Sequence, residues 1–429
     1  MRKIRWPIAL LSLVYVLNFI DRQLVGILGQ PIKAELGLSD KQLGLLSGVA
    51  FALFYTTLGL PVARIAERRS RVGVLAISLG LWSAMTALCG LARTLPQFIL
   101  ARLGVGVGEA GYAPTAQSLI ADLVPAERRA TALSLFSLGI PAGMLIGAVA
   151  GGWLAQSLGW RMAFVWLGAP GVALALVLAL TLDEPPRTAS ATPAPSLRQV
   201  AHRLWHAPGF AHMAAGASIA SFAGYGLTSF AVPLLMRRYA LPVGEAATGF
   251  GLVAGIAIGI GIGSGGWLAD RAREKGGAGR VAASGALVAG LLLPLALSLG
   301  DPRLVGLTAI LPLAGAHLYF GPVYGVTANS ADSRSRATAI AILLMAMNAI
   351  GLGLGPLAVG ALSDAFAQAA LPGYSAACRS AACGAASAQG LARALRIDAL
   401  LYFWAALHFL LASRASRKAS PASATMFQA

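Results

Sequence analysis

Long apolar stretches recur along the whole chain, and short polar segments separate them. Each stretch has about 18 to 25 residues, and a helix of about 20 residues crosses the ~30 Å hydrocarbon core of a bilayer. The pattern predicts an all-α membrane protein with twelve transmembrane helices. The predicted spans are 7–30, 42–63, 72–92, 97–120, 131–156, 162–182, 209–236, 246–268, 281–299, 304–327, 337–363 and 397–412.

One long polar segment interrupts this pattern between the sixth and seventh spans. It covers residues 183–208 and begins with a stretch rich in Pro, Ser, Thr and Ala, which is typical of a linker. The linker divides the chain into a first six-helix bundle, residues 1–182, and a second one, residues 209–412. Residues 413–429 form the predicted tail.

The second part of the polar segment, residues 196–206, predicts a short helix on the membrane surface. Its apolar side chains fall on one face at helical spacing, so we expect that face to lie against the bilayer. The face consists of Leu197, Val200, Leu204 and Trp205.

Charge is scarce but unevenly placed. Hydrophobic residues make up 57% and charged residues 11% of the chain, whereas a soluble protein has roughly 25% charged residues. The net charge of +17 comes from basic clusters that fall mainly on the side of the N-terminus, so it is an orientation signal and not a nucleic-acid footprint. We expect cytoplasmic N- and C-termini. The clusters include Arg2, Lys3, Arg5, Arg64, Arg68, Arg69, Arg71, Arg271, Arg273, Lys275 and Arg280.

The N-terminal apolar run is too long for the core of a cleavable signal peptide, and no A-x-A site follows it. We expect the first helix to remain as an anchor. Cys378 and Cys383 share the predicted outer loop before the last span, where an oxidising compartment permits a disulfide; two free thiols are the alternative. Cys89 is expected to be a small core residue.

Short motifs recur in the two halves. ARIAERRSR (63–71) follows the second span, and GWLADRAR (266–273) follows the eighth. RRATALSL (128–135) after the fourth span likewise matches SRATAIAI (335–342) after the tenth. Weak internal similarity of this kind is expected when two bundles arose by duplication, as in many secondary transporters.

The repeated loop motif resembles the signature loop of the major facilitator superfamily: a small residue, then an acid and Arg four and five positions later. Arg102 and the glycines that follow it in the fourth span add to the likeness, which covers nearly the entire chain. Ala63 replaces the usual Gly and Glu67 the usual Asp. The resemblance implies the major facilitator fold, with two pseudo-symmetric six-helix bundles.

The charged residues of the two loops are expected to act as a latch. Glu67 can accept hydrogen bonds from arginines or lie at a helix N-terminus, where the dipole favours an anion. Such contacts would hold the cytoplasmic side shut in one state; the alternative is that Glu67 only offsets the surrounding positive charge. The latch residues are Glu67, Arg68, Arg71, Asp270 and Arg271.

Ionisable residues also lie inside the predicted spans of the first half. A charge at the bilayer centre costs about 2.5–3.5 kcal/mol, so such residues usually face a cavity or pair with each other. A rise of about 1.5 Å per residue places Arg22 and Glu109 at similar depths. We predict that Arg22 meets Glu109. Asp21, on the same helix face as Asn18, is expected to have access to Arg102 or to the cavity.

This cluster suits proton coupling. A movement that changes the distance between Arg22 and Glu109 would change the proton affinity of the carboxylate. Glu109 and Asp21 are therefore the candidate proton-coupling residues, with a proton gradient as the driving force and no cofactor. A static ion pair that joins two helices is the alternative.

The second half offers few polar groups, so the predicted cavity is ionic on one wall and apolar on the other. An amphipathic substrate with an anionic head and a hydrocarbon tail would match it. His317 is expected to be either a hydrogen-bonded packing residue or a proton carrier. The candidate substrate-binding residues are Asn18, Arg22, Arg102, Tyr112, Tyr225, Ser229, His317, Tyr319 and Asn348.

Two longer motifs resemble the spinster-like branch of the superfamily. These are NFIDRQ in the first span and SLIADLVPAERR followed by SLFSLGIPAG after Glu109. The resemblance implies transport of lysophospholipids or sphingosine phosphate, in some members with a proton gradient. It also implies that Arg22 and Glu109 are central, with Asp21 in support, in what looks like a bacterial inner-membrane member.

Two other transport functions remain open. The Asp–Arg pair in the first span also resembles the organic-anion:cation symporters, which would imply a small organic or sugar acid as substrate. A glycine face in the fifth span resembles that of drug and proton antiporters, although ordinary helix packing explains it equally well. This face consists of Gly139, Gly143, Gly147 and Gly151.

Catalysis is not expected. No span contains a Ser-His-Asp set, an HExxH motif or a paired-carboxylate metal site. The expected partners are the lipid bilayer and a small amphipathic substrate, with no nucleic acid and no metal. A monomer is the default for this architecture.

Overall fold

The computed structural model of the protein is nearly all helical and describes residues 2–124, 129–185, 196–272, 276–331, 335–375 and 377–418. The first half forms one helical bundle, named here the N bundle. Its helices are α1 (Arg2–Ile27), α2 (Gly29–Leu36), α3 (Asp40–Ser47), α4 (Val49–Arg68), α5 (Arg71–Cys89), α6 (Leu95–Glu109), α7 (Tyr112–Leu123), α8 (Arg129–Ser137), α9 (Gly139–Leu158) and α10 (Trp160–Thr181).

The second half forms the C bundle, which the short helix α11 (Leu197–His206) precedes. A π-helical segment, Asn348–Leu352, joins two of its helices into one continuous span. The helices are α12 (Phe210–Tyr239), α13 (Val243–Arg271), α14 (Gly277–Ala296), α15 (Pro302–His317), α16 (Phe320–Asn329), α17 (Arg336–Met347), α18 (Gly353–Ala370) and α19 (Ala381–Lys418).

Within the described ranges, 11 helical stretches are long and apolar enough to cross a membrane. The predicted fourth span, 97–120, is divided, because α6 ends at Glu109 and α7 begins at Tyr112. Closely spaced glycines in this stretch lower its helix propensity. Taken together, α6 and α7 occupy the place of the fourth predicted span, which is the one that the 11 stretches leave out.

The last span is longer than predicted. Helix α19 has 38 residues and begins at Ala381, whereas the predicted span is 397–412. Polar residues in its first turns lower the local hydropathy, so the hydropathy pattern did not indicate where the helix begins. Cys383 therefore lies in the first turn of α19 and not in a loop, and it forms a disulfide with Cys378.

The predicted surface helix is present as α11, with a capping box formed by Ser196 and Gln199. Its predicted orientation is only partly right. Val200 and Leu204 are buried in a cluster with Phe210, so they pack on the C bundle and not on the bilayer. Trp205 is 72% exposed.

We call the side at which α1 begins and α19 ends the terminal side, and the other membrane face the opposite side. The two bundles touch closely on the opposite side. A Cβ atom on Gly44 of α3 would lie only 2.2 Å from the carbonyl oxygen of Pro356 in α18. A Cβ atom on Gly360 would lie 2.1 Å from the backbone carbonyl oxygen of Asp40. The missing side chains permit this backbone contact.

Helices α9 and α13 form the second contact between the bundles. An added Cβ on Gly152 would meet Ala247 at 2.6 Å, and one on Gly251 would meet Ala148 at 2.6 Å. Nearer the terminal side a groove of about 270 Å³ lies between the two helices, lined by apolar residues that include Pro141. The contacts that join the bundles thus lie toward the opposite side, and the space between the bundles opens toward the terminal side.

Candidate functional site

The centre of the site is an ion pair between α1 and α6. The Nε atom of Arg22 donates to Oε2 of Glu109 over 2.8 Å, so the predicted contact is present. The side chain of Glu109 is 0% exposed, whereas that of Arg22 is 11% exposed. Arg22 is therefore the member of the pair that can still reach a ligand.

Aromatic rings surround the guanidinium of Arg22. Its Cζ atom lies 4.4 Å from the ring centre of Tyr55, 5.1 Å from that of Phe19 and 5.5 Å from that of Phe51. Rings at these distances attract a cation through their quadrupoles. They hold the guanidinium in place beside the carboxylate of Glu109.

Tyrosines from both bundles extend this aromatic surrounding. Tyr225 of the C bundle lies within electrostatic reach of Arg22, and Tyr15 and Tyr324 lie within reach of Tyr225. Tyr225 was predicted from the sequence as a binding residue, whereas Tyr15 and Tyr55 were not. The four-residue spacing of Phe51 and Tyr55 would have been the signal, because it places both rings on one helix face.

The pair leaves hydrogen-bonding capacity unused. Oε1 of Glu109 and both polar atoms of the Asn18 amide have no hydrogen-bond partner, although each residue is only 1% exposed. Buried polar atoms are normally paired. Protonation of Glu109 would supply a donor for one of these acceptors.

Asp21 lies apart from this pair. Its carboxylate is 2% exposed and lies beside Thr86 and Trp82, while its Oδ1 atom has no hydrogen-bond partner. Asp21 forms no ion pair with Arg102 in the described structure, although it feels its charge. Of the two predicted alternatives, the neighbourhood of Arg102 and not the cavity describes Asp21 in this state.

Two further predicted binding residues are enclosed in the N bundle. Arg102 is 1% exposed, with its Nε atom 3.4 Å from the Leu46 oxygen and its Cζ atom 5.0 Å from the Phe51 ring centre. The Tyr112 hydroxyl donates to the Leu11 oxygen over 2.6 Å. Both polar groups face the protein interior, so neither is available to a substrate in this state.

The predicted residues of the C bundle are scattered. The Nδ1 atom of His317 lies 2.9 Å from the Leu313 oxygen, and its ring stacks on Phe320. These contacts fit the predicted alternative of a hydrogen-bonded packing residue. Tyr319 is 4% exposed. Ser229 lies against Gly26, where α12 crosses α1. Asn348 begins the π-helical segment. Of the C-bundle candidates, only Tyr225 joins the surroundings of Arg22.

The latch residues form contacts inside one bundle. Arg71 pairs with Asp122 at 2.5 Å and with Glu184 at 2.8 Å, all in the N bundle. Arg68 and Asp270 are exposed, and Arg271 lies over the Trp267 ring at 3.6 Å. The side chain of Glu67 lies outside the described part. With the terminal side open, Arg71 joins helices of the N bundle and does not bridge the two bundles.

Glu184 gives a pH-dependent prediction. Burial raises its pKa, but hydrogen bonds from the Val72 N–H, Arg71 and Ser70 outweigh burial and lower the pKa below its ordinary value. A carboxylate with a lowered pKa stabilises the fold above its ordinary pKa, and this contribution is lost as the pH falls through the lowered value. Glu184→Gln is expected to cost about 1 kcal/mol at neutral pH.

Thermal unfolding in detergent across a pH series tests this. The difference in Tm between wild type and Glu184→Gln should shrink as the solution is acidified. The exposed Asp301, which caps α15, provides the matched control Asp301→Asn. A Glu184→Gln difference that stays constant down to strongly acidic pH would contradict the role given to this carboxylate.

A second charged network joins the bundles on the opposite side. Asp40 of α3 accepts hydrogen bonds from Lys33, from two nitrogens of Arg237 and from Ser363, at 2.6 to 2.7 Å. Arg237 and Ser363 belong to the C bundle. The carboxylate of Asp364 in turn accepts from the backbone N–H groups of residues 40 and 41. The sequence analysis missed this network.

Two similar helical bundles with a charged site between them, closed on one side and open on the other, have the architecture of a secondary transporter. Residues 11–371 match the model of the Major Facilitator Superfamily, and the chain belongs to this family of transporters. The fold predicted from the sequence is thereby confirmed.

Solved structures place the chain more narrowly. The crystal structure of a bacterial homologue of the human lysosomal transporter Spinster, in an inward-facing and unoccupied conformation, superposes with a TM-score of 0.87. The two sequences are 32% identical, and the match covers 98% of this chain and 99% of that one. The resemblance to the spinster-like branch is confirmed.

Curated relatives match over shorter stretches. An MFS-type efflux pump of Mycolicibacterium smegmatis is 39% identical over 272 residues, which cover 62% of this chain and 63% of the relative. Protein spinster homolog 1 of Xenopus tropicalis is 32% identical over 185 residues, which cover 42% of this chain and 35% of the relative. The chain therefore spans less than two thirds of the length of either relative.

Proposed function

We propose that the protein is a proton-coupled carrier of an amphipathic anion of the lysophospholipid or sphingosine-phosphate kind. The observation that carries this proposal is the Arg22–Glu109 pair. One carboxylate oxygen of Glu109 accepts a hydrogen bond from Arg22, and the Arg22 guanidinium lies among aromatic rings, including that of Tyr55, where the two bundles face each other. An anionic head group that binds Arg22 competes directly with Glu109.

The apolar groove between α9 and α13 supports a hydrocarbon tail in the substrate. Its lining includes Leu145, Leu252 and Ile256, and the last two are 48% and 53% exposed. A small hydrophilic acid gains nothing from such a surface, whereas an acyl chain gains about 0.8 kcal/mol per buried CH₂ group.

Proton coupling follows from the competition at Arg22. When the substrate head group takes the guanidinium, Glu109 is left buried without its hydrogen-bonded cation, and a buried carboxylate that loses such a partner is shifted toward its neutral form. Binding of the substrate at Arg22 would then favour protonation of Glu109, and protonation of Glu109 would favour binding of the substrate. The basic clusters on the terminal side support a cytoplasmic location for that side, in a bacterial inner membrane.

A second candidate function is export of apolar drugs. The relative in Mycolicibacterium smegmatis, described as an MFS-type efflux pump, favours it. A cationic or neutral drug would not need Arg22, so the two functions differ in their dependence on this residue.

The test is transport into proteoliposomes with and without a pH gradient. Labelled lysophosphatidylglycerol, galactonate and an apolar cationic dye would be compared. We expect gradient-driven accumulation of the lysolipid, and in Glu109→Gln at least a tenfold loss of that accumulation, with exchange retained. Asp301→Asn is the control and should behave as wild type.

Each other outcome has a distinct meaning. Transport of galactonate alone would overturn the lipid proposal, and transport of the dye alone would favour the exporter. Unchanged dependence on pH in Glu109→Gln would remove the coupling role of this carboxylate.

A further inference from the structure

A carboxylate that no motif singled out lies in the middle of the C bundle. Asp398 of α19 is 3% exposed, and its Oδ1 atom has no hydrogen-bond partner. Among the residues that the structure describes, no Lys, Arg or His pairs with it. The C bundle, which looked uncharged from the sequence, thus contains a titratable group at mid-membrane depth.

Three helices meet at this carboxylate. A Cβ atom on Gly226 of α12 would lie 3.2 Å from Oδ2 of Asp398 and 2.7 Å from Val359 of α18. The missing side chain of Gly226 provides the space that the carboxyl group fills. Gly226 directly follows Tyr225, which lies within reach of Arg22. Asp398 therefore packs on α12 immediately beside a residue of the Arg22 surroundings.

The surroundings of Asp398 fit a neutral acid. Tyr402, one turn further along α19, is the titratable side chain beside it. Neither Gly226 nor Val359 titrates, and Arg280 in the first turn of α14 is the one ionisable residue of that helix. A carboxylate with no cation nearby is costly in a bilayer, whereas a protonated carboxyl group needs no counter-charge.

The line of contact between α18 and α19 leads from Asp398 toward the opposite side. Gly390 of α19 lies against the backbone oxygen of Ser363, whose hydroxyl donates to Asp40 in the contact between the bundles. The eight residues from Gly390 to Asp398 correspond to about 12 Å along the helix. Opening of the opposite side separates Asp40 from Ser363 and exposes to water the ends of α18 and α19 that lie on that side.

The π-helical segment Asn348–Leu352 provides a place where α18 can shift. A Cβ on Gly351 would lie 2.7 Å from Ser221 of α12, so the segment packs on the helix that contacts Asp398. Single-turn π segments inside α-helices are frequent at functional sites.

We propose that Asp398 is a second proton-binding site of the transport cycle, protonated while the opposite side is closed and in exchange with water when that side opens. This inference rests on the proposed proton-coupled function. It assigns one proton to each bundle: one to Glu109 and one to Asp398.

Infrared spectroscopy of the protein in nanodiscs tests the proton itself, without any substrate. The difference spectrum between alkaline and acidic pH should contain carboxyl C=O bands from both sites. Asp398→Asn should remove one band and Glu109→Gln another. Asp398→Leu has a side chain of similar volume that forms no hydrogen bonds, and it should remove the same band as Asp398→Asn. It takes the place of Asp398→Asn if that variant does not fold.

Transport gives the second measurement. In proteoliposomes, the number of protons moved per lysophosphatidylglycerol should fall about twofold in Asp398→Asn, while Asp301→Asn keeps the wild-type ratio. A difference spectrum in which Asp398→Asn removes no carboxyl band would overturn the proposal, as would an unchanged proton ratio. If wild type moves no lysolipid, the proposed substrate fails, but the infrared result still decides the role of Asp398.

Discussion

Replacing Arg22 by alanine is expected to weaken binding of an amphipathic anion strongly. Loss of a charge-assisted hydrogen bond costs about 1.5–3 kcal/mol, which corresponds to a roughly 10- to 150-fold loss of affinity. The variant also leaves the fully buried carboxylate of Glu109 without its cation, and such a change costs about 3–5 kcal/mol of stability. Binding of lysophosphatidylglycerol, followed by calorimetry in detergent, measures the first effect, and Tm measures the second.

Two matched variants separate binding from folding. Arg22→Ala combined with Glu109→Gln removes both charges, so it should melt near the wild-type temperature and still bind weakly. Arg22→Lys keeps the charge but loses the planar contact with Tyr55 at 4.4 Å, and we expect intermediate affinity. Wild-type affinity in the folded double variant would show that Arg22 does not hold the head group.

Asp40→Asn is expected to open the opposite side. The carboxylate holds Lys33 of its own bundle and Arg237 of the other, and breaking a buried pair costs about 3–5 kcal/mol. If most of that cost falls on the closed state, the ratio of closed to open molecules drops by roughly two orders of magnitude or more. The protein should then populate a state in which the space between the bundles faces the other way.

Distances between spin labels would show this change. Ala34 and Gly384 lie on different bundles at the opposite side and line the same small cavity, so Ala34→Cys and Gly384→Cys give a suitable pair. The native cysteines do not interfere, because two are joined in a disulfide and the third is buried. A distance distribution in Asp40→Asn that equals the wild-type one would contradict the proposed closure.

Asp301→Asn serves as the control for this measurement. Asp301 lies on the same side of the molecule, but its carboxylate only caps α15 within the C bundle. The label distance should not change in this variant. A matching increase in both variants would indicate general loosening of the protein and not release of a specific contact.

The Arg22–Glu109 contact could be predicted because depth alone constrains it. Two charged residues on helices of opposite direction, at similar distance from the membrane centre, have few other partners in lipid. The network at Asp40 could not be found in this way. Lys33, Asp40 and Arg237 lie at helix ends, where charged residues are ordinary, and their partners come from segments far apart in the sequence.

Asp398 was missed for a different reason. Its helix was predicted to begin at residue 397, and an acid in the first turn of a span is unremarkable. Arg393 and Arg396 had lowered the hydropathy of the preceding turns. Because α19 actually begins at Ala381, Asp398 lies near the middle of the helix, where a carboxylate needs an explanation. An error in one boundary thus concealed a candidate site.

The glycine face of α9 determines how the charged pair can move. A Cβ on Gly143 would lie 2.5 Å from the Val16 oxygen of α1, and one on Gly147 would lie 3.1 Å from Cα of Ile20. Helix α1 is thus seated directly on the backbone of α9, immediately before Asp21 and Arg22. The other face of α9 contacts α13 at Ala148.

Any separation of α9 from α13 therefore carries α1 with it as one rigid unit. The backbone at Arg22 therefore moves with α9, and its position relative to Tyr225 depends on the angle between the bundles. The same rotation that opens or closes a membrane face must also make or break the head-group site, so access and binding strength change in a single motion.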